Sequence, residues 1–233
     1  MDISTIDAVL AGSGLTRLGA FHPGPDDGVP GLVTGNATLI LAGNAGPAMW
    51  RAFAAQRLDD DEPDPLDCWS RRTLATITEK LSAEFDLTVT ALAPFDGPPY
   101  LPFQDWAKKS GAVHPSPFGP VVHIQYGLWH AYRGALLIPA ALELPPVTPA
   151  PSPCRDCADK PCLSGCPVGA FGDAGYDVPA CVGHLAGGRG DDCFRKGCLA
   201  RAACPVGAAY AYGEDQARFH LGKFFANHGT PGS

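Results

Sequence analysis

The chain has 233 residues, enough for one large domain or two modest ones. Charged residues make up 18% and hydrophobic ones 45%, with 28 glycines and 24 prolines, the composition of a soluble, loop-rich globular protein. No window approaches about eighteen uninterrupted apolar residues, which argues against a membrane span, and a formal net charge of -7 offers no counterion release on DNA or RNA.

The first expected element is a helix over Ile3–Leu10, opened by the cap residues of Asp2-Ile-Ser-Thr. This start has neither a basic segment leading into an apolar core nor a twin-arginine pair, so the cytoplasm, with its reduced thiols, is the expected compartment. Thr38–Ala42 is a short apolar run that suits a buried strand, and Gly46-Pro47 opens a helical stretch to about Gln56. The run Asp59-Asp60-Asp61-Glu62-Pro63-Asp64 reads as a solvated loop. A longer helix is predicted over Pro65–Phe85, with Leu66, Trp69, Leu74, Ile77 and Leu81 on one face. Leu87–Leu92, Val121–Ile124 and Ala135–Ile138 read as strands. Strands separated by helices predict an α/β sandwich over residues 1–145. Five prolines between Glu143 and Pro153 mark a stiff joint, so 146–233 is expected to form a second module that ends in a helix over Asp215–Asn227.

That second module holds eight of the nine cysteines. The pentapeptide Cys-Pro-Val-Gly-Ala occurs twice, at Cys166–Ala170 and Cys204–Ala208. The first copy closes the run Cys154-x2-Cys157-x4-Cys162-x3-Cys166; the second follows Cys181 and closes Cys193-x4-Cys198-x5-Cys204. A [4Fe–4S] cube needs four thiolates converging from different directions, and a short loop wraps about three sides of it. In two-cluster ferredoxins the cysteine before the proline therefore serves the other cube. On that rule Cys154, Cys157, Cys162 and Cys204 hold one cluster, and Cys166, Cys181, Cys193 and Cys198 hold the other, with no thiol to spare. Zinc is the rival metal, but structural zinc sites usually use well-separated Cys-x2-Cys pairs. An odd cysteine count argues against a disulfide framework. Cys68 stands alone and reads as a half-buried helical thiol.

Two other features read as structural. The seven histidines include no His-x3-His or His-Glu-x2-His spacing and are taken as structural or surface residues. The glycine-rich segment Ala186–Gly190 lacks the spacing and lysine of a phosphate loop and reads as an excursion between Cys181 and Cys193.

In the order of its parts the chain resembles the epoxyqueuosine reductases, which carry cobalamin on a nitroreductase-like N-terminal domain beside two [4Fe–4S] clusters. Reductive dehalogenases and cobalamin-processing decyanases are similar to the N-terminal part. The resemblance is carried by Leu66-Asp67-Cys68-Trp69, Phe95-Asp96-Gly97-Pro98-Pro99-Tyr100-Leu101 and Gln125-Tyr126-Gly127-Leu128-Trp129, and most specifically by the cysteine module with Pro179-Ala180-Cys181. It implies a nitroreductase-like, cobalamin-domain-like α/β sandwich followed by a ferredoxin-like two-cluster module. It also implies cobalamin as a further cofactor, Asp96 as a general acid beside the cobalt, and Tyr126 and Trp129 near the corrin. The residue-level alternatives are that Asp96 starts the turn Asp-Gly-Pro-Pro and that the two aromatics fill a sheet edge.

The chain also departs from the reductases. Trp69 stands where they have histidine, Val113–Gly119 replaces a glycine- and lysine-containing segment, and the C-terminal repeat region implicated in holding tRNA is not matched. Residues 150–233 balance eight Lys/Arg against eight Asp/Glu, which supplies no basic surface in its place. Nucleic acid is therefore not an expected partner.

Two functions compete. One is a reductase whose two clusters pass single electrons to a corrinoid or substrate on the N-terminal region. The other is a non-catalytic ferredoxin-type carrier without cobalamin. Either requires an electron-donor protein of the flavodoxin, ferredoxin or reductase kind.

Overall fold

The computed structural model describes residues 2–33, 35–56, 62–146, 150–172 and 174–229. The expected acidic loop at 59–64 and the proline joint at 143–153 thus lie partly outside the described residues. In chain order the elements are α1 (Ile3–Gly12), β1 (Thr16–Phe21), β2 (Thr38–Ala45), α2 (Ala48–Gln56), α3 (Pro65–Phe85), β3 (Thr90–Leu92), α4 (Phe103–Lys109), β4 (Val113–His114), β5 (Val122–His123) and β6 (His130–Ile138). They continue with α5 (Pro161–Ser164), β7 (Phe171–Gly172), β8 (Gly175–Tyr176), α6 (Val178–Ala186), α7 (Asp191–Lys196), α8 (Leu199–Ala202) and α9 (Glu214–His228). No helix among the described residues is long and apolar enough to cross a membrane. The chain divides into two compact units: residues 1–112 with 130–149, and residues 113–129 with 150–233.

The first unit is built on a four-stranded sheet in the order β1-β2-β6-β3, every neighbouring pair antiparallel. Its strands are a mixed reading of the sequence. β2 extends the expected Thr38–Ala42 run to Ala45, β6 begins at His130 rather than Ala135, and β3 keeps only the last three residues of Leu87–Leu92. β2 is buried along seven of its eight residues, unusual for an antiparallel strand with one wet face. Helices on both sides account for it. A Cβ on Gly134 of β6 would meet Leu74 of α3 at 2.5 Å, and one on Gly19 of β1 would run into Ser110, the C-cap of α4. Gly134 pairs with Ala42 while Gly19 pairs with the adjacent Leu41, and successive strand residues point to opposite faces. α3 and the end of α4 therefore cover opposite faces of the sheet.

α3 keeps the predicted bounds because its signals agree. Pro65 sits in the first turn, Asp86 takes a left-handed cap with its N–H on the Ser82 carbonyl, and Leu66, Trp69, Leu74, Ile77 and Leu81 are buried on one face. The indole N–H of Trp69 donates to Gln56 Oε1 at 3.0 Å, fastening α3 to the end of α2. At the sheet's end, buried Thr38 donates its hydroxyl to the Ala140 carbonyl (2.8 Å) and accepts from the Leu142 N–H (2.9 Å).

The second unit has little sheet: the two-residue pairs β4–β5 and β7–β8. Short helices and the loops between them carry eight of the cysteines, and α9 packs along α6 and α7. The Phe194 and Phe225 rings meet edge-on at 5.9 Å, and Gly197, at φ +79°, leaves room for Ala217. Of the segment Ala186–Gly190, Ala186 ends α6 and the rest is a turn leading to α7, with Gly188 at φ +71°.

Candidate functional site

Five of the grouped cysteines lie on short helices or beside their ends, and Cys154, Cys157 and Cys166 lie in the loops around α5. Cys162 is on α5, Cys181 on α6 and Cys193 on α7, while Cys198 caps α8 and Cys204 follows it. All nine are free thiols. The loop bearing Cys154 and Cys157 is closed by Lys160, a left-handed residue whose ammonium donates to the Cys154 (3.4 Å) and Cys157 (3.2 Å) carbonyls. The two Cys-Pro-Val-Gly-Ala copies share a backbone turn: Gly169 and Gly207, at matching positions, have φ of +60° and +72°. In the first copy the Ala170 N–H donates to Cys166 Sγ at 3.4 Å.

Electrostatics sort eight of the thiols into two sets. Burial, then the charges of Cys204 and Cys157, push the Cys154 thiol up; Cys162 is raised by burial and by Cys204, Cys154 and Cys157. In the other set, burial raises Cys193 and Cys198, with Cys181 and Cys166 adding to both. Backbone N–H groups pull the other way, from Leu199 on Cys193 and from Arg201 and Ala200 on Cys198, and so favour the thiolate that a metal requires. Cys204 thus acts on Cys154 and Cys162 of the first run, and Cys166 on Cys193 and Cys198 of the second. Among the described residues no three His, Cys, Asp or Glu side chains are gathered as a single metal ion would need.

The second set shares a cavity of about 350 Å³ inside the second unit, with Cys166, Cys181, Cys193 and Cys198 all in its wall. Aromatic rings contribute to the rest of the wall. Phe118 meets Phe171 at 4.4 Å, and Phe171 stacks on its cross-strand partner Tyr176 at 4.6 Å with the ring planes 2° apart. The Tyr176 hydroxyl is held protonated by burial first and then by its hydrogen bond to Cys181. Helical spacing supplies two more sides: Cys181, His184 and Leu185 from α6, and Ala217, His220, Leu221 and Phe224 from α9. Arg201 completes the wall. Its guanidinium lies 4.7 Å from the Trp129 ring and 4.4 Å from the Tyr212 ring, and it donates to the Leu128 carbonyl and to the Tyr212 hydroxyl.

The three residues carried over from the resemblance lie in different surroundings. Trp129 is buried in the wall of the thiol cavity. Tyr126 stacks on His123 (4.4 Å) and meets Tyr210 edge-on (4.8 Å), and the Gln125 and Tyr126 N–H groups both donate to His123 Nδ1. Asp96 belongs to the first unit, half-exposed, with the Arg71 guanidinium at 2.5 Å. Sequence reasoning missed Phe118, His184, Arg201, Tyr212 and His220. Only His184, one turn beyond Cys181 on a helix, carried a local signal.

No protein-family model and no curated protein matches the sequence. Solved structures do match. The fold is similar to that of a C. elegans B12-trafficking protein CblC, a human MMACHC homologue, at 14% identity and a TM-score of 0.55 over 94% of this chain and 91% of that one. It is similar to an epoxyqueuosine reductase solved with an epoxyqueuosine-modified tRNA stem loop, at 15% identity and a TM-score of 0.52 over 90% of this chain and 66% of that one. A selenomethionine-labelled epoxyqueuosine reductase gives 15% identity and a TM-score of 0.54, covering 93% and 68%. The chain thus spans about two thirds of the length of the reductases. At such identities the likeness is one of mixed α/β fold.

Proposed function

We propose that this chain is an iron–sulfur reductase. One [4Fe–4S] centre would be held by Cys154, Cys157, Cys162 and Cys204, the other by Cys166, Cys181, Cys193 and Cys198. The observation that carries the reading is the composition of the thiol cavity. Its wall combines Cys166, from the first Cys-Pro run, with three cysteines downstream, as crosswise ligation requires. When bound, such centres take up and release single electrons. The chain's own part is to converge the thiols, to direct backbone N–H groups at Cys193 and Cys198, and to line one centre with aromatic rings. Supply of electrons falls to a donor protein of the flavodoxin, ferredoxin or reductase kind.

The acceptor is proposed to be a corrinoid, or a substrate, held by the N-terminal region. Support comes from the sequence resemblance and from the fold likeness to a protein whose name describes B12 trafficking. Asp96 is the proposed proton source in that chemistry, provided its pairing with Arg71 opens. Tyr126 and Trp129 are proposed as corrin neighbours on the resemblance alone. Nucleic acid is not part of the proposal, because the acidic chain offers no cluster of basic residues for a phosphate backbone.

Iron and sulfide analysis of anaerobically purified protein tests the core of the reading. About eight of each per chain are expected, falling to about four in Cys181→Ala. A zinc-containing, iron-free protein refutes it, and a variant with full iron refutes the ligand pairing. Titration with cob(II)alamin, followed by its absorption spectrum, tests the acceptor: a saturable spectral change is expected, and an unchanged spectrum at high cobalamin leaves an electron carrier without a corrinoid.

A further inference from the structure

The cavity wall contains a donor that the ligand set does not use. Trp129 is 2% exposed, and its indole Nε1 is buried with no hydrogen-bond partner. Indole nitrogen is a donor only, so nothing but an acceptor can satisfy it, and a buried donor left unmet is costly. Two other tryptophans show the usual solution: Trp69 donates to Gln56 Oε1 at 3.0 Å and Trp106 to the Asp27 carbonyl at 2.7 Å. A second unmet nitrogen, Nε2 of His184, belongs to the same cavity wall, one helical turn from Cys181. Among the acceptors that share this wall are the sulfurs of Cys166, Cys181, Cys193 and Cys198.

We infer that the Trp129 indole N–H, seconded by the His184 ring, donates to a sulfur of the centre on Cys166, Cys181, Cys193 and Cys198 and raises its reduction potential. The inference rests on the iron–sulfur reading and deepens it. Hydrogen bonds to the sulfurs are among the chief determinants of such potentials. The reduced centre carries more negative charge than the oxidised one, so an N–H donor stabilises the reduced form more. Arg201 and Tyr212 hold the indole by its face and edge, at 4.7 Å and 5.2 Å, which fixes the ring without engaging the nitrogen. Trp129 is therefore a positioning and tuning residue, not a ligand.

Trp129→Phe removes the N–H and keeps a ring for Arg201 and Tyr212. A redox titration followed by electron paramagnetic resonance should show one of two midpoint potentials lowered, with iron and sulfide unchanged. The expected drop in the reduced-to-oxidised ratio is about tenfold, or about 59 mV for one electron. Unshifted potentials at full iron content overturn the inference while leaving the iron–sulfur reading intact; an iron-free wild type overturns both. Should the variant fail to hold iron, wild-type protein labelled with indole-¹⁵N tryptophan decides the matter. Electron–nuclear double resonance should then detect a ¹⁵N coupling to the reduced centre, and its absence counts against the inference.

Discussion

Two glycines at matching places in a repeated pentapeptide have unequal surroundings. Both Gly169 and Gly207 occupy the left-handed region, where a side chain costs about 1–2 kcal/mol. A Cβ on Gly169 would find nothing within 4 Å, whereas one on Gly207 would overlap the Tyr126 carbonyl. Gly127 meets the Val206 carbonyl in the same way from the other side. Gly207→Ala should therefore lower the unfolding free energy of the second unit by about 2–4 kcal/mol, through strain and overlap together, and Gly169→Ala by only about 1–2 kcal/mol. Urea unfolding of the two variants compares them directly, and equal losses would show that backbone conformation alone sets the cost.

On α3 the same helix that covers the sheet carries a carboxylate held against its preference. Burial raises Asp67 above its ordinary value, more than Arg133, at 3.6 Å, lowers it. A carboxyl raised on folding contributes stability below its unfolded pKa of 3.8 and loses that contribution as pH rises through the folded value. Asp67→Asn is thus expected to be more stable than the wild type at pH 7, by less than about 1 kcal/mol given the solvent screening of a half-exposed group. The gain should vanish near pH 3. Melting temperatures at the two pH values check this; a wild type that stays the more stable at pH 7 would mean that the Arg133 pair outweighs burial.

The elements also show what a sequence makes legible. α3 was readable because its cap, proline and apolar face all agree over twenty-one residues. β1 was not, because Thr16–Phe21 contains Arg17 and Gly19 at a β-bulge, which breaks the alternation that marks a strand. The first half of β6 hid for a related reason: His130, Tyr132 and Arg133 are polar, yet pairing with β2 makes them strand. The candidate ligands were legible because thiol spacing is a chemical constraint. The ring-lined wall was not, because Phe118, Tyr212 and His220 are brought to it by tertiary packing from distant parts of the chain.

At the scale of the whole molecule, charge and chain path are both uneven. The acidic excess belongs to the first 149 residues, while residues 150–233, which hold the eight grouped cysteines, are balanced. The second unit is also assembled from two stretches of chain, since residues 113–129 fold with it although they precede β6. Phe118, Pro120 and Trp129 come from that early stretch and the four thiols of their cavity from the later one. During synthesis the early stretch leaves the ribosome well before its partners exist, and an interior strand of the other unit follows it out. A gene fragment starting at the prolines would encode every grouped cysteine and still produce a cage missing part of one side, so this module could not be moved between proteins as a single uninterrupted cassette.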